Sequence, residues 1–310
     1  MAGPGFVAAF DFGGTKTALA TATAGGEILH HDRFEIDASR GAAAVLGAAI
    51  EACRRLICRT RAQTGGRCVS AGVVAPGIVL PRRSLLAPNV PGWEALALQP
   101  LVSDGLGLQR VAVGNDVKAA GLAELRWGAL QGADPALFLS LGTGVAAAVI
   151  VGGQVLQGAH GAAGEIGYSL RGVDDKLAFA AGHAPLEEVA GGRFIGLHAE
   201  RLRGRAMTAA EAFAATDGPM SQLVDHALDE LAVCVANIAL VVDPERIAVG
   251  GGLMGSGERV LEALERRLRD AVPFAPLLAR ARFADDAALR GAVALALEAA
   301  AAPQPERGSH

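Results

Sequence analysis

Asp11 ends an apolar run and opens directly onto Phe12-Gly13-Gly14-Thr15-Lys16, so a carboxylate stands beside a turn of nearly bare backbone. That combination suits phosphate chemistry. Glycine permits backbone angles that larger residues resist and lets a ligand approach closely, and an Asp can hold a magnesium-bound water. A tight β-turn with an Asx bond is the structural alternative. A second acid, Asp116, follows Gly114-Asn115, where a strand is expected to give way to a helix. A carboxylate there could take a proton from a substrate hydroxyl, with Asn115 orienting a neighbouring hydroxyl. The same position would equally serve Asp116 as a helix N-cap. Gly142-Thr143-Gly144 is a second candidate cradle, in which backbone N–H groups converge on anionic oxygen and the Thr hydroxyl adds a donor. A simple β-turn is its alternative. Phosphoryl transfer asks little more of a protein than two such cradles, magnesium and a base that aligns the nucleophile.

Neither glycine turn fits a nucleotide fingerprint of another class. Gly142-Thr143-Gly144 lacks the Gly-Lys-Thr/Ser ending of a Walker loop and the third Gly and following helix of a dinucleotide site. Lys16 follows Gly-Thr inside an expected strand, where it either approaches phosphate or is simply solvated. Further along, Gly158 to Tyr168 reads as an irregular loop holding Glu165 and the single tyrosine, Tyr168. A polyhydroxylated ligand could use Glu165 as an acceptor and Tyr168 as a donor or stacking surface; solvent-facing loop residues are the other reading. No carboxylate is evidently paired with His160, which reads as a loop histidine.

These residues need elements to hold them. Residues 6–22 predict two strands around the first turn, and Gly25-Gly26 leads to a third near residues 28–34. Residues 42–59 carry an apolar stripe at helical spacing. Short strands are expected at 68–75 and 110–113, the second running into a helix that continues past Glu124. The organisation then partly repeats: strand 136–141, a small-residue turn, strand 145–151 and a Gly152-Gly153 corner. Two such units predict two related lobes, and ligands favour clefts between lobes. Helices are expected at 221–242, 260–269 and 289–300, with a strand at 246–249 that ends in Gly250-Gly251-Gly252.

Bulk composition narrows the classes. With 51% hydrophobic and 19% charged residues the chain is a folded globular protein. Its 310 residues lie near the length at which a core divides in two. A formal charge of -4 gives no general attraction to nucleic acid or anionic membrane, and neither is expected as a partner. Cys53, Cys58, Cys68 and Cys234 have no close spacing and suit reduced thiols. The amino terminus shows no signal-type segment, and the apolar run 231–242 is too short to span a bilayer. A cytoplasmic protein is expected, with a disordered tail over 303–310.

Taken in order, Asp11-Phe-Gly-Gly-Thr-Lys16, Gly114-Asn-Asp116 with Ala119-Ala-Gly121 and Glu124, Gly142-Thr-Gly144, Gly161-Ala-Ala-Gly-Glu-Ile-Gly167 and Asp243-Pro244 through Gly252 form a specific set. The set resembles the ROK family of bacterial sugar kinases and related repressors, within the sugar kinase, Hsp70 and actin superfamily, over about residues 6–300. The resemblance implies an α/β, two-lobed actin-like ATPase (ribonuclease H-like) fold with an interlobe active-site cleft. The expected lobes are 1–117, completed by the helix at about 288–301, and 118–287. ATP and Mg2+ are the implied cofactors and a homodimer the implied assembly. By family role Asp11 lies at the magnesium–phosphate site, through water, and Gly13, Gly14, Thr15 and Lys16 lie at the phosphates. Gly142, Thr143 and Gly144 handle the nucleotide phosphates, and Gly250, Gly251, Gly252 and Leu253 line the nucleoside side. Asp116 activates the sugar hydroxyl as the catalytic base, while Gly77, Asn89, Asn115, Glu165, Tyr168 and Glu187 are implied sugar-side residues. Glu187 is otherwise an ordinary acid at a helix start.

Departures from the pattern matter too. Many relatives carry a structural zinc held by a histidine after Glu-x-Gly and a cysteine cluster downstream. Here Tyr168 replaces that histidine and no cysteine lies between Cys68 and Cys234, so no zinc is expected. After Gly144-Val145 come alanines, where relatives often keep further glycine. The implied activity is ATP-dependent phosphorylation of a hexose or N-acetylhexosamine, glucose at its 6-hydroxyl first. Kinases of N-acetylglucosamine, N-acetylmannosamine or fructose are alternatives. A sugar-responsive repressor would need a helix-turn-helix segment ahead of Phe6, for which no room is expected, and a noncatalytic sugar-binding protein is the remaining alternative.

Overall fold

In the computed structural model, which describes residues 4–86 and 92–302, the apolar run before the first glycine turn is β1 (Gly5–Phe12) and the run after it β2 (Lys16–Thr23). They pair antiparallel, and β3 (Ile28–Glu35) extends the hairpin. Helix α1 (Ala42–Thr64) then carries the chain to β4 (Arg67–Ala75), parallel to β1. The stripe expected on α1 is buried: Val45, Leu46, Ala49, Ala52 and Leu56 pack with Phe10, Phe12 and Val73. The helix outlasts its expected end at residue 59 because Thr60 is also buried, its hydroxyl bonded to Thr21 of β2 at 2.7 Å. It stops at Gly65, whose left-handed φ of 66° closes the last turn onto Arg61 O.

A short hairpin follows, β5 (Ile78–Leu80) and β6 (Arg83–Leu85), then α2 (Leu98–Leu106), β7 (Val111–Asn115) and α3 (Asp116–Trp127). The first sheet has the order β3-β2-β1-β4-β7. The second begins with β8 (Ala136–Leu141) and β9 (Val145–Val151), joined through Gly142-Thr143-Gly144, and a two-residue β10 (Gln154–Val155). Four helices come next: α4 (Glu187–Ala190), α5 (Gly192–Arg203), α6 (Ala209–Ala214) and α7 (Gly218–Val242). Asp217 caps α7 through Met220 N–H, so the helix starts at Gly218, three residues before the start expected from sequence. After α7 come β11 (Arg246–Gly250), α8 (Gly257–Ala271) and the edge strand β12 (Leu277–Arg280), in the sheet order β10-β9-β8-β11-β12. Residues of α4 to α8 share a core with Leu137, Leu139, Val145, Ile247 and Val249 of that sheet.

The last helix, α9 (Ala287–Ala301), belongs with the first sheet: Ser70 Oγ of β4 donates to Ala296 O at 2.7 Å, and Gly72 leaves no room for a Cβ beneath the Ala292 carbonyl. The chain thus divides into two compact units, Met1–Ala123 with Asp286–His310, and Glu124–Asp285. Each is an α/β body around one five-stranded sheet. At the start of the second unit a fully buried Glu124 accepts N–H bonds from Ala129 at 2.7 Å, Arg282 at 3.1 Å and Phe283 at 2.8 Å. A carboxylate that accepts several backbone N–H groups meets the cost of its own burial. No helix among the described residues is long and apolar enough to cross a membrane.

Candidate functional site

In the first unit, register alone aligns the acids. Asp11 sits opposite Ala18, and Ala18 opposite Arg33; on the other side Asp11 pairs with Val74 and Val74 with Gly114. Arg33, Asp11 and Gly114 therefore lie on one row across the sheet, and Asp116 follows Gly114 by two residues. The charges confirm the proximity. Burial, and then the Asp116 carboxylate, push Asp11 up to about 7, with Arg33 pulling it back. Burial also raises Asp116, against N–H bonds from Val117 and its own main chain.

The expected strand at 110–113 runs on to Asn115, which changes what caps α3. Asn115 Oδ1 accepts the Lys118 N–H at 2.9 Å and is the residue that caps the helix start, whereas Asp116 Oδ1 takes the adjacent Val117 N–H at 2.9 Å. Asn115 Nδ2 donates to Gly77 O at 2.8 Å. Its amide therefore keeps one N–H and one lone pair for a hydroxyl. Gly77 has φ 83°, and a Cβ there would collide with Leu85 and Leu86 carbonyls, so the β5–β6 hairpin folds closely over this corner. Asn89 lies outside the described residues, as does the tail over 303–310.

The first glycine turn is closed by Gly13 N–H donating to Lys16 O at 2.9 Å, with Gly14, Thr15 and Lys16 exposed. Neither Gly13 nor Gly14 takes a left-handed φ, against the expectation of special backbone angles there. The constraint at Gly13 is steric instead: a Cβ would stand 3.1 Å from Lys16 O.

In the second unit, the candidate nucleotide residues meet. Gly142 N–H bonds Gly144 O at 3.0 Å across the β8–β9 turn, and Thr143 is exposed. Gly251, at φ 96°, lies flush against the Leu141 main chain, which sets Gly252 beside Gly142. A third wall has no counterpart among the expected site residues. Gly192 N–H donates to Gly142 O at 2.9 Å and Arg193 N–H to Thr143 O at 3.1 Å, so the first residues of α5 dock on the turn. The Gly191-Gly192 pair ahead of an amphipathic stretch was the available signal.

The residues of this unit expected on the sugar side hang on the outer edge of β9. Val145 N–H donates to Glu187 Oε2 at 3.0 Å and Ala147 N–H to Gly164 O at 2.8 Å, which places Glu165 next along that edge. Tyr168 stacks edge-on against Phe179, centroids 5.3 Å apart. Burial first, then the Glu165 and Glu187 carboxylates, raise its phenol, so the three residues share one neighbourhood. His160 is exposed and outside this cluster. The segment after Tyr168 is fastened by Arg171 to Asp175, at 2.6 and 3.1 Å, and by His183 to Glu188 at 2.9 Å. Among the described residues no group of three or more His, Cys, Asp or Glu could hold a metal ion. Magnesium does not require one: it keeps several waters and takes one or two carboxylates plus substrate phosphates, so the Asp11 carboxylate, lifted by burial and by the neighbouring Asp116 charge, fits it.

A model of the ROK family matches residues 7–299. Among curated relatives, the bifunctional enzyme NanE/NanK of Brucella melitensis is 33% identical, over 94% of this chain and 54% of its own. The chain thus spans about half the length of the first curated relatives it matches. The N-acetyl-D-glucosamine kinase of Escherichia coli O1:K1 is 30% identical over 93% of this chain and 98% of its own. Among solved structures, a ROK family glucokinase from Streptomyces griseus, in complex with glucose and AMPPNP, superposes with a TM-score of 0.72 at 26% identity, covering 94% of this chain and 99% of that one. The fold is that of the actin-like ATPases.

Proposed function

This chain belongs to the ROK family, and we propose on that premise that it is an ATP-dependent kinase of a hexose or N-acetylhexosamine, with the glucose 6-hydroxyl as the first acceptor to test. The observation that carries the reading is the Asp11–Asp116 pair, two half-buried carboxylates beside a glycine turn whose pKa values are both lifted. Asp116 accepts the hydroxyl proton as the new bond forms. Its raised pKa makes it a stronger base than a solvated Asp, and such proton transfer contributes about 10²–10⁴-fold to rate. Asn115, fixed to Lys118 N–H and Gly77 O, orients the acceptor with its remaining N–H. Asp11 is the residue that would hold magnesium, whose chemistry when bound is to offset phosphate charge. Gly142, Thr143 and Gly144 supply main-chain N–H groups and a hydroxyl to the phosphates, while Gly250 to Leu253 line the nucleoside. Glu165, Tyr168 and Glu187 are the sugar contacts of the second unit.

The relatives include a glucokinase and an N-acetyl-D-glucosamine kinase, which supports a sugar acceptor but spans two substrate classes. The test is sugar-dependent ADP release from Mg2+-ATP with glucose, N-acetylglucosamine, N-acetylmannosamine, mannose and fructose, followed by mapping of the phosphorylated hydroxyl. At least one sugar should raise ADP release well above the sugar-free rate; no response to any of them sinks the proposal.

A further inference from the structure

Glu187 occupies a slot made of three glycines. A Cβ on Gly144 would strike its Oε2, one on Gly167 would stand 3.1 Å from its Cβ, and one on Gly191 would stand 3.0 Å from its Cγ. Those glycines belong to different parts of the site. Gly144 is in the phosphate turn, Gly167 follows Glu165 on the sugar side, and Gly191 leads into α5. The side chain is thus gripped by both sides at once.

Its two ends are committed in the same way. Oε2 accepts the Val145 N–H at 3.0 Å, the first main-chain donor after the turn, while Oε1 accepts no hydrogen bond among the described residues. The Glu187 carbonyl accepts Gly191 N–H at 2.8 Å, and the next two N–H groups, of Gly192 and Arg193, bind the Gly142 and Thr143 carbonyls. The phosphate turn is therefore held on one side by the Glu187 carboxylate and on the other by the main chain that Glu187 begins. Tyr168 feels the charges of both Glu187 and Glu165.

We infer that Glu187 is a positioning residue that couples sugar binding to nucleotide binding. A sugar hydroxyl donating to the free oxygen fixes the carboxylate in its slot, which holds Val145 N–H and sets the Gly142–Gly144 turn for phosphate. Coupling of this kind is reciprocal, so nucleotide must tighten sugar binding by the same factor. The inference rests on the kinase reading above and adds to it a route of communication within the second unit.

The experiment is calorimetric titration of Mg2+-AMPPNP into the whole protein without sugar, with saturating glucose, and with saturating N-acetylglucosamine. The wild type should bind AMPPNP about tenfold more tightly with the sugar it phosphorylates, within the ordinary range of site coupling. Glu187→Ala should bring that factor close to one and weaken sugar-free AMPPNP binding. Glu187→Gln keeps an acceptor for Val145 N–H, so it should recover sugar-free binding relative to the Ala variant and show an intermediate factor. Glu165→Gln should weaken sugar binding yet, at saturation, retain the wild-type factor. A wild-type factor of one, or an unchanged factor in Glu187→Ala, overturns the coupling role. If the Ala variant does not fold, an unchanged factor in Glu187→Gln overturns it alone. Failure of the wild type to release ADP with any sugar rejects the kinase reading instead, which keeps the two outcomes apart.

Discussion

The two glycine turns solve one problem with opposite placements of negative charge. Asp11 is built into the strand that leads into its turn, so the acid and the bare backbone are neighbours in sequence. Gly142-Thr143-Gly144 has no acid on either strand, and takes its carboxylate from Glu187, 42 residues beyond Val145. The first arrangement holds two like charges close together and is electrostatically costly until a cation arrives. The second matches its acid to a backbone N–H and leaves one oxygen spare. A turn with a resident acid is suited to metal and proton chemistry; a turn with a borrowed acid is suited to sensing what else that acid touches.

Removing the acid beyond the first turn should have the largest effect. Asp116→Asn keeps the shape and the bond to Val117 N–H but deletes the base, so turnover should fall by about 10²–10⁴-fold. Sugar affinity by calorimetry should change little by comparison. Sugar-dependent ADP production near the wild-type rate would remove Asp116 from the base role and break the contrast between the two turns.

An intermediate effect is expected from crowding the borrowed acid. Gly144→Ala puts a methyl group where Glu187 Oε2 lies, and the far end of a side chain can swing aside, so the fold survives without the Val145 bond. Loss of a hydrogen bond to a charged group should cost about 2 kcal/mol in the ligand-free protein. Gly142→Ala is the control on the same turn, because the nearest atom to its Cβ would be Gly252 N at 3.9 Å. Thermal or urea denaturation without ligand should separate the two variants clearly. Equal stabilities would mean that Glu187 does not brace the turn.

That contrast also marks how far the chain could be read in advance. β8 and β9 carry the boundaries expected from their apolar runs, and Asp11, Asn115 and Asp116 are flagged by local patterns of strand, turn and helix. The shorter elements escaped. β5 and β6 have three residues each, too few to show a period, and β12 is a four-residue edge strand with both ends exposed. α2, α5 and α6 escaped as well, α6 being too short for a stripe, whereas the helix start expected at Glu187 is where α4 begins. What no local pattern contains is who meets whom. Glu187 in its slot, Gly192 and Arg193 on the turn, and Gly164 on the edge of β9 are all contacts between distant segments. Nor does a Gly announce its purpose: Gly13 was expected for its angles and is needed for its size, while Gly77 and Gly251 need both.

The smallest effect, and the one that most sharpens the comparison, is on stability as a function of pH. Asp11 titrates near 7 when folded and near 3.8 when unfolded, so between those values the folded state holds a proton that the unfolded state has released. The stability associated with this group is fully present below pH 3.8 and is lost as pH rises through 7. Asp116, raised by burial, contributes with the same sign. The ligand-free melting temperature should therefore decline between pH 5 and pH 8, and Asp11→Asn should flatten that decline. Asp116→Asn should flatten it less through Asp11 itself, because burial is the larger cause of the Asp11 shift and the neighbouring charge the second. Magnesium with nucleotide should restore stability at pH 8 more than at pH 5, since only the ionised pair gains from a cation. A wild-type profile that rises over this window, or one that Asp11→Asn leaves unaltered, would show that the first turn carries no such charge cost and that its acid is no more strained than the borrowed one.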